Sequence, residues 1–300
     1  MIKLNAKKIL VPVDFSENAL HALEHAAFLA SLHKGEIILS HIIHSYGESH
    51  GILGTTPEIK KLSGATGKII EKKMREIGLS IRKKYGVKTE TVISTGGIAT
   101  EIVTIAETEK AGLIVMGTHG YSAVEEFLLG SNALSVLNKS SCPVMTIRKN
   151  SNHLYKRIVL PIDLSEHSRQ KVNLSFQLAD RYGANIYVLG ILGRGENDQK
   201  GKMETILRQI EKAAKNFKAN VKTELVEKSK NRSYSTVQYC KKVKGDLIVI
   251  MSDQETEFSG LLLGPYAHQV INHAPVPVLC IKPEENSKLL SWTSAGTFSQ

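Results

Sequence analysis

The chain carries one sequence pattern twice, and this duplication constrains its fold more than any other feature. Leu113–Ile147 aligns without a gap with Leu247–Ile281, which lies 134 residues further along. Both stretches read as an apolar strand, a loop, a helix and a second apolar strand. The openings of the two halves, Lys7–Leu23 and Lys156–Val172, also match, at an offset of 149 residues. The 300 residues are therefore predicted to form two similar domains of about 150 residues, a common domain size.

A polar run, Lys149–Tyr155, separates the two halves and is too short to be a long flexible tether. We therefore predict one domain at residues 1–150 and a second at residues 151–284. The tail, residues 285–300, lacks a sustained apolar period and is predicted to be a loose extension.

Short apolar runs alternate with amphipathic segments in each half. In the first half the predicted strands are Ile9–Val13, Ile37–Ile43, Lys88–Ile93, Leu113–Met116 and Val144–Ile147. The predicted helices are a segment capped by Ser16, then Lys68–Tyr85, Ile98–Lys110 and Ser131–Lys139. Gly47–Gly67, rich in Gly, Ser and Thr, is predicted to be a loop. The second half repeats this order, with a helix at Gly201–Lys218 and a last strand at Val278–Ile281.

This alternation predicts an α/β fold of two tandem, doubly wound, mostly parallel five-stranded sheets with helices on both faces. Ligands of such sheets bind at the carboxyl ends of the strands, near the point where the strand order reverses. Asp14 and the loop from Gly117 to Ser131 are expected to meet at that edge.

Composition argues against several classes of protein. The net charge is +10, but the lysines are scattered over helix faces without a nucleic-acid recognition pattern, so nucleic acid is not expected as a partner. The three cysteines lack CxxC spacing, so neither a disulfide framework nor a zinc site is expected. There is no apolar run of 18 residues and no signal-peptide core, which predicts no membrane span and a cytoplasmic location.

Two glycine pairs in the first half form a candidate anion site. Gly117 and Gly120 follow the fourth predicted strand, and glycine lets the backbone approach a ligand closely. Gly130 and Ser131 open a helix, where backbone amides and the helix dipole favour an anion. Taken alone, Gly117 and Gly120 are better explained as a tight turn, and Gly130 and Ser131 as a helix cap. Both pairs together at the end of a parallel strand favour contacts to the phosphates of a nucleotide.

The second half has lost most of this pattern. Of the four positions it keeps only Gly264, and the others hold Met251, Gln254 and Pro265. Proline removes both an amide donor and a hydroxyl at the place of Ser131. Three carboxylates enter the same loop, where they would repel phosphates: Asp253, Glu255 and Glu257. We therefore predict that the second half, although it keeps Asp163 in the place of Asp14, does not bind ATP.

The spacing Gly117-x2-Gly120-x9-Gly130-Ser131 resembles the ATP-binding pattern of the universal stress protein family. Val11–Ala19 is similar to the first strand and turn of that family, and Ser141–Lys149 to its last strand. The resemblance covers nearly the whole chain twice, so the chain resembles a tandem universal stress protein with a Rossmann-like, adenine nucleotide alpha hydrolase-like fold.

The resemblance implies a role for each matched position. Asp14 is expected near the adenosine, Pro12 in the same wall, and the backbone of Ile42 against the adenine. The positions that match ribose and phosphate contacts are Gly117, Gly120, Gly130, Ser131 and Asn132. Mg²⁺ would accompany ATP and be held mostly by phosphates and water, because no carboxylate cluster offers a protein site for it. The implied function is an ATP-binding regulator of the stress response, with slow hydrolysis at most, because the loop supplies no evident base or arginine finger.

Two other functions compete with this one. The first is a scaffold that binds protein partners and no nucleotide. Val144–Ile147 would be a sheet edge if left alone, and its natural mate is Val278–Ile281, which predicts an internal pseudo-dimer that could dimerise again. The second is an ATP-pyrophosphatase-like enzyme, but Val13–Ala19 lacks the glycines that this class carries after its first strand.

His21 and His25 are a further candidate, because residues four apart share one face of a helix and could hold a metal ion. No third ligand is evident, so exposed or capping histidines are the preferred interpretation.

Overall fold

A computed structural model of the chain describes residues 4–44, 57–118, 129–148, 151, 153–217, 219–252 and 263–283. In the first half the elements are β1 (Lys8–Pro12), α1 (Glu17–His33), β2 (Glu36–His44), α2 (Pro57–Tyr85), β3 (Lys88–Gly96), α3 (Ile98–Thr108), β4 (Leu113–Gly117), α4 (Ser131–Lys139) and β5 (Val144–Ile147). In the second half they are β6 (Arg157–Ile162), α5 (Glu166–Tyr182), β7 (Asn185–Gly193), a 3₁₀ helix (Asn197–Gln199), α6 (Lys200–Ala214), β8 (Val221–Ser229), α7 (Arg232–Lys242), β9 (Leu247–Met251), α8 (Pro265–His273) and β10 (Val278–Ile281).

The strands of both halves join in one sheet. Its order is β3-β2-β1-β4-β5-β10-β9-β6-β7-β8, and strands within each half are parallel. The order reverses between β1 and β4 in the first half and between β6 and β9 in the second. β5 and β10 pair antiparallel, with Thr146 opposite Val278 and Val144 opposite Cys280. The predicted pairing of these strands is therefore confirmed, and it merges the two expected sheets into one of ten strands.

Two apolar cores cover the two faces of this sheet. Ile9 and Val11 of β1 belong to the core beneath α1, α2, α5 and α6, whereas Leu10 belongs to the core beneath α3, α4, α7 and α8. All three side chains are fully buried. Successive side chains of a strand point to opposite faces, so a strand covered on both faces must be apolar throughout. Each such side chain contributes about 1.5–3 kcal/mol to stability on burial.

Several boundaries differ from the predictions. The helix predicted at Lys68–Tyr85 begins at Pro57, so the predicted loop Gly47–Gly67 is wrong over its last part. Proline suits the first turn of a helix, where its missing N–H is not needed, and the residues after it are good helix formers. The helix predicted at Gly201–Lys218 is preceded by a 3₁₀ turn and ends at Ala214.

Three elements have the predicted bounds: Ser131–Lys139, Val144–Ile147 and Val278–Ile281. Residues 47–56 of the predicted loop and the predicted tail at 285–300 lie outside the described residues. Among the helices that the structure describes, none is long and apolar enough to cross a membrane.

The segment between the halves is held against α1 by two histidines. His21 Nε2 and His25 Nε2 lie 3.1 and 3.2 Å from the carbonyl oxygen of Ser151. Because a carbonyl only accepts, both Nε2 atoms donate, and His25 Nδ1 then accepts from the Tyr155 hydroxyl at 2.8 Å. His25 is fully buried, so the expectation that this pair is exposed or capping is wrong for His25. Burial, together with the nearby His21, lowers the pKa of His25 to about 4.

Candidate functional site

The turn after β1 places Asp14 at the carboxyl edge of the sheet. Asp14 Oδ1 accepts hydrogen bonds from the backbone N–H of Ser16 at 3.0 Å and from its hydroxyl at 2.6 Å. The Ser16 hydroxyl in turn accepts from the N–H of Ala19 and caps α1. Phe15, between them, has a φ of 66°. Asp14 thus shapes the entry to α1 while its side chain stays at an exposed position.

The end of β2 lies beside this turn. Pro12, the last residue of β1, is opposite Ser40 of β2, and Ile42 lies two residues further along β2. His41 Nδ1 donates to the carbonyl oxygen of Val13 at 2.7 Å, which ties the two strand ends together. Ile42 is half-buried and packs against the core beneath α3 and α4. The sequence prediction missed the role of His41.

Gly117 ends β4, on the other side of β1. A Cβ added there would lie 3.2 Å from the carbonyl carbon and the Cβ of Asn18, in the first turn of α1. Glycine is therefore favoured at this position by helix packing alone, whether or not a ligand approaches. Gly120, the second glycine of the pair, lies outside the described residues.

The two ends of the glycine loop are brought together by one hydrogen bond. Gly130 N–H donates to the carbonyl oxygen of Thr118 at 2.9 Å, so the start of α4 lies against the end of β4. Gly130 is the N-cap residue of α4 and supplies no side chain to bind the first amides of the helix. Ser131 and Asn132 follow in the first turn, and both are exposed. This arrangement places the N-terminus of α4, with an exposed hydroxyl and an exposed amide side chain in its first turn, next to the end of β4, where the strand order reverses.

Each half also contributes one asparagine to the loop of the other half. Asn272, in α8, accepts a hydrogen bond through Oδ1 from the N–H of Leu129 at 2.8 Å. Asn138, in α4, accepts through Oδ1 from the N–H of Leu263 at 2.5 Å. The two asparagines and the two leucines occupy equivalent positions of the repeat, 134 residues apart. The sequence prediction missed both asparagines, although their equivalence was visible in the alignment.

The corresponding region of the second half keeps the turn and changes its surroundings. Asp163 Oδ1 accepts from the N–H of Ser165 at 3.0 Å and from its hydroxyl at 2.6 Å, as Asp14 does with Ser16. Asp163, however, is only 7% exposed. Beneath it lies Lys171, which is fully buried and takes the place of Ala22.

Burial lowers the pKa of Lys171 to about 7, against the opposing effect of the negative charge on Asp163. Lys171 Nζ lies 3.4 Å from the Ser168 hydroxyl, which also accepts from the N–H of Asp163 at 3.0 Å. The Ser168 hydroxyl therefore links the backbone of Asp163 to a buried amine.

Two of the three changed positions of the glycine pattern lie among the described residues of the second half. Met251, in the place of Gly117, is fully buried, and Pro265 is the first residue of α8. Gly264 N–H donates to the carbonyl oxygen of Ser252 at 2.8 Å, so the loop closes as in the first half. The remaining residues of this loop, including Asp253, Gln254, Glu255 and Glu257, lie outside the described residues.

Comparison with known proteins gives a consistent result over both halves. The family model described as Universal stress protein family matches residues 5–148 and again residues 154–282. Universal stress protein MJ0577 of Methanocaldococcus jannaschii is 34% identical over 157 residues, which are 48% of this chain and 97% of that protein. A universal stress protein of Mycolicibacterium smegmatis is 24% identical over 290 residues, which are 92% of this chain and 97% of that protein.

A solved structure has the same architecture over nearly the whole chain. The crystal structure of a universal stress protein from Archaeoglobus fulgidus covers 93% of this chain and 99% of that chain, with a TM-score of 0.72 and 20% identity. At this identity the likeness concerns the fold, which is the ten-stranded arrangement of two similar halves.

Proposed function

The chain belongs to the universal stress protein family, and on that premise we propose that its first half binds an adenine nucleotide, ATP, and its second half does not. The proposed contacts are Pro12, Asp14, Ile42, Gly117, Gly120, Gly130, Ser131 and Asn132. We propose residues 1–150 as the binding domain and residues 151–284 as its degenerate copy. The protein would act as a cytoplasmic regulator of the stress response whose state depends on the bound nucleotide.

One observation carries this proposal. The exposed Asp14 follows β1 and the start of α4 lies against the end of β4, so both are at the same edge of the sheet, where the strand order reverses. β1 lies between β2 and β4, so the turn that carries Asp14 leaves the sheet between the strands that carry Ile42 and Gly117. The bond between Gly130 and Thr118 keeps the N-terminus of α4 at this edge. In the second half Met251 and Pro265 occupy the equivalent positions, and Asp163 is buried above Lys171.

The residues at the site suit the parts of a nucleotide in different ways. The first amides of α4 and the Ser131 hydroxyl donate hydrogen bonds and would bind phosphate oxygens, which the positive end of the helix dipole also attracts. The Asp14 carboxylate accepts hydrogen bonds and would face the hydroxyls of a ribose.

Mg²⁺ fits this site only as a companion of the nucleotide. Among the described residues, no group of three or more His, Cys, Asp or Glu side chains could hold a metal ion. Phosphates and water would therefore supply most of its ligands. Amides and a hydroxyl bind phosphates without activating water, so we expect hydrolysis to be slow at most.

The first test is the amount of nucleotide that each chain carries. We expect acid release and chromatography of the purified protein to give about one adenine nucleotide per chain, and isothermal titration of the emptied protein to give one site for Mg-ATP. ADP, AMP and cAMP serve as competitors that rank the preference. Two nucleotides per chain would contradict the prediction that the second half binds no nucleotide. A chain that carries none and shows no melting shift with excess Mg-ATP would favour the protein scaffold, since saturation at about 100 times the dissociation constant adds about 2.7 kcal/mol.

A second test copies one residue of the second half into the first. Ser131→Pro removes an amide and a hydroxyl but keeps a residue that the first position of a helix accepts. We expect it to abolish nucleotide binding with little change in melting temperature. The matched control, Pro265→Ser, should leave both the affinity and the one-site stoichiometry unchanged, because Met251 and the buried Asp163 remain.

A further inference from the structure

We propose that Asn272, which belongs to the second half, positions the glycine loop of the first half for nucleotide binding. This inference rests on the proposed function. It makes the nucleotide site of the first half dependent on a residue that lies 143 positions away from the amide it binds.

The position of the contacted amide gives the hydrogen bond its importance. Leu129 directly precedes Gly130, the N-cap of α4, and its N–H donates to Asn272 Oδ1 at 2.8 Å. The next amide along the chain, that of Gly130, donates to Thr118 at 2.9 Å. Two successive amides are thus bound, one by each half, at the place where the loop enters the helix. The direction of the first helical amides, which would bind the phosphates, depends on both bonds.

Asn272 is itself held in a fixed orientation. It is 6% exposed, and its backbone carbonyl oxygen accepts a hydrogen bond from the guanidinium of Arg148. Arg148 directly follows β5, the strand that pairs with β10 of the second half. Because a backbone N–H only donates, the side-chain oxygen of Asn272 must face Leu129, and the nitrogen faces His268 at 3.5 Å. We call Leu129, Arg148 and Asn272 the first clamp.

The second half carries the equivalent arrangement at the corresponding positions of the repeat. Leu263 N–H donates to Asn138 Oδ1 at 2.5 Å, and Lys282 Nζ donates to the carbonyl oxygen of Asn138 at 2.9 Å. Lys282 follows β10 as Arg148 follows β5. We call Leu263, Lys282 and Asn138 the second clamp. Both clamps join the same two halves, but only the first holds a loop that leads to Gly130 and Ser131; the second leads to Gly264 and Pro265.

This symmetry supplies a matched control. Loss of either asparagine side chain removes one equivalent hydrogen bond between the halves, so the effects on stability should be similar. Only the loss of Asn272 should also reduce nucleotide affinity, because a loop that is not held must be ordered when the ligand binds. A purely structural role for the two clamps predicts no such difference.

The experiment measures Mg-ATP binding by isothermal titration in the full chain and in three variants. Asn272→Leu keeps the volume and removes the acceptor, and we expect it to weaken binding about tenfold, equivalent to about 1.4 kcal/mol. Asn138→Leu should stay within about twofold of the unchanged protein. Asn272→Asp keeps an oxygen that can accept from Leu129 but adds a negative charge near the proposed phosphates, so it should restore the hydrogen bond and only part of the affinity.

Amide hydrogen exchange verifies that each variant acts where intended. The Leu129 amide should lose protection in Asn272→Leu alone, and the Leu263 amide in Asn138→Leu alone. Equal weakening by both leucine variants, or no weakening by Asn272→Leu, would overturn the inference while leaving the nucleotide site in place. Absence of binding in the unchanged chain would overturn the proposed function and this inference together.

Discussion

Asp14 and Asp163 make the same two hydrogen bonds to a serine two residues on, yet they stand in opposite surroundings. Asp14 is exposed at the edge of the sheet, and Asp163 is buried above Lys171. The aspartate therefore has two separable roles, one in the turn that starts the helix and one toward solvent. Both halves keep the aspartate in the turn, but only the first half leaves it exposed to solvent. Retention of a motif residue is thus evidence for the turn before it is evidence for a ligand.

The largest effect should come from the residue that distinguishes the two aspartates. We expect Lys171→Met to raise the free energy of unfolding by about 4 kcal/mol at pH 7, because burial lowers the pKa of this lysine from 10.5 to about 7 and each pKa unit is worth about 1.4 kcal/mol. The unfolded chain keeps the proton up to pH 10.5 and the folded chain releases it near pH 7, so the unchanged protein gains stability as pH rises above 7.

Urea denaturation of both proteins at pH 7 and pH 8.5 measures this effect. The advantage of Lys171→Met should shrink by about 1.5 kcal/mol between the two values. The comparison stays below pH 9 because burial raises the pKa of Cys280 to about 12, and this thiol lowers stability once the unfolded chain ionises. A constant difference between the two proteins would mean that Lys171 does not titrate in this range.

The next effect concerns the contact between α1 and the segment that links the halves. In the second half Leu174 takes the place of His25, and a leucine side chain cannot make these hydrogen bonds. Burial lowers the pKa of His25 from 6.5 to about 4, so the unfolded chain takes up a proton between these values while the folded chain does not. Stability is therefore lost as pH falls from 6.5 toward 4, by about 2 kcal/mol between pH 7 and pH 5.

His25→Leu tests this by giving α1 the residue of its counterpart. We expect the variant to be less stable by about 1–2 kcal/mol at pH 7, because Tyr155 and Ser151 lose a partner. It should lose about 2 kcal/mol less than the unchanged protein on acidification to pH 5. His33, whose pKa burial also lowers to about 4, is present in both proteins and cancels in the comparison. Parallel acid profiles would show that His25 is protonated in the folded state.

A third comparison separates the ligand role from the turn role. Asp14→Asn should weaken Mg-ATP binding about tenfold, or about 1.4 kcal/mol, whereas Asp163→Asn should leave binding unchanged. Titration calorimetry of the two variants gives the answer directly. If both variants or neither altered affinity, the assignment of the nucleotide to the first half through Asp14 would be wrong.

The smallest difference is expected where the halves are alike. Ser16 accepts from Ala19 at 3.2 Å and Ser165 from Ser168 at 3.3 Å, each as the N-cap of the first helix in its half. Ser16→Ala and Ser165→Ala should each lower the free energy of unfolding by about 1 kcal/mol, the usual cost of a lost cap. If the free energies of unfolding of the two variants differed by more than about 1 kcal/mol, one serine would make a further stabilising interaction, with the adjacent aspartate as its first candidate partner.

Most of the fold follows from local sequence, because each buried strand is a short apolar run bounded by turn residues. Val144–Ile147 and Val278–Ile281 could be paired in advance, since an apolar edge strand needs a mate. The start of α2 at Pro57 was missed because glycine and serine within the helix imitate a loop.

The candidate site was less accessible to sequence reasoning. The periodicity of α5 does not reveal that Lys171 points inward, because a lysine on an amphipathic helix normally faces solvent. Asn138 and Asn272 contact loops about 125 and 143 positions away, which only the pairing of β5 with β10 brings within reach. Contacts of this kind arise from the assembly of two halves and leave no local pattern.

The antiparallel pairing of β5 and β10 gives the molecule a direction. Since all strands within a half run the same way, the carboxyl ends of the strands lie at one edge of the sheet in the first half and at the opposite edge in the second. If the first half alone binds a nucleotide, as proposed, a partner at one of these edges meets the nucleotide site and a partner at the other edge meets the degenerate copy. A homodimer of two identical one-domain chains would carry the same site at both edges of its sheet. In this chain the two edges differ, so only one of them would carry the nucleotide.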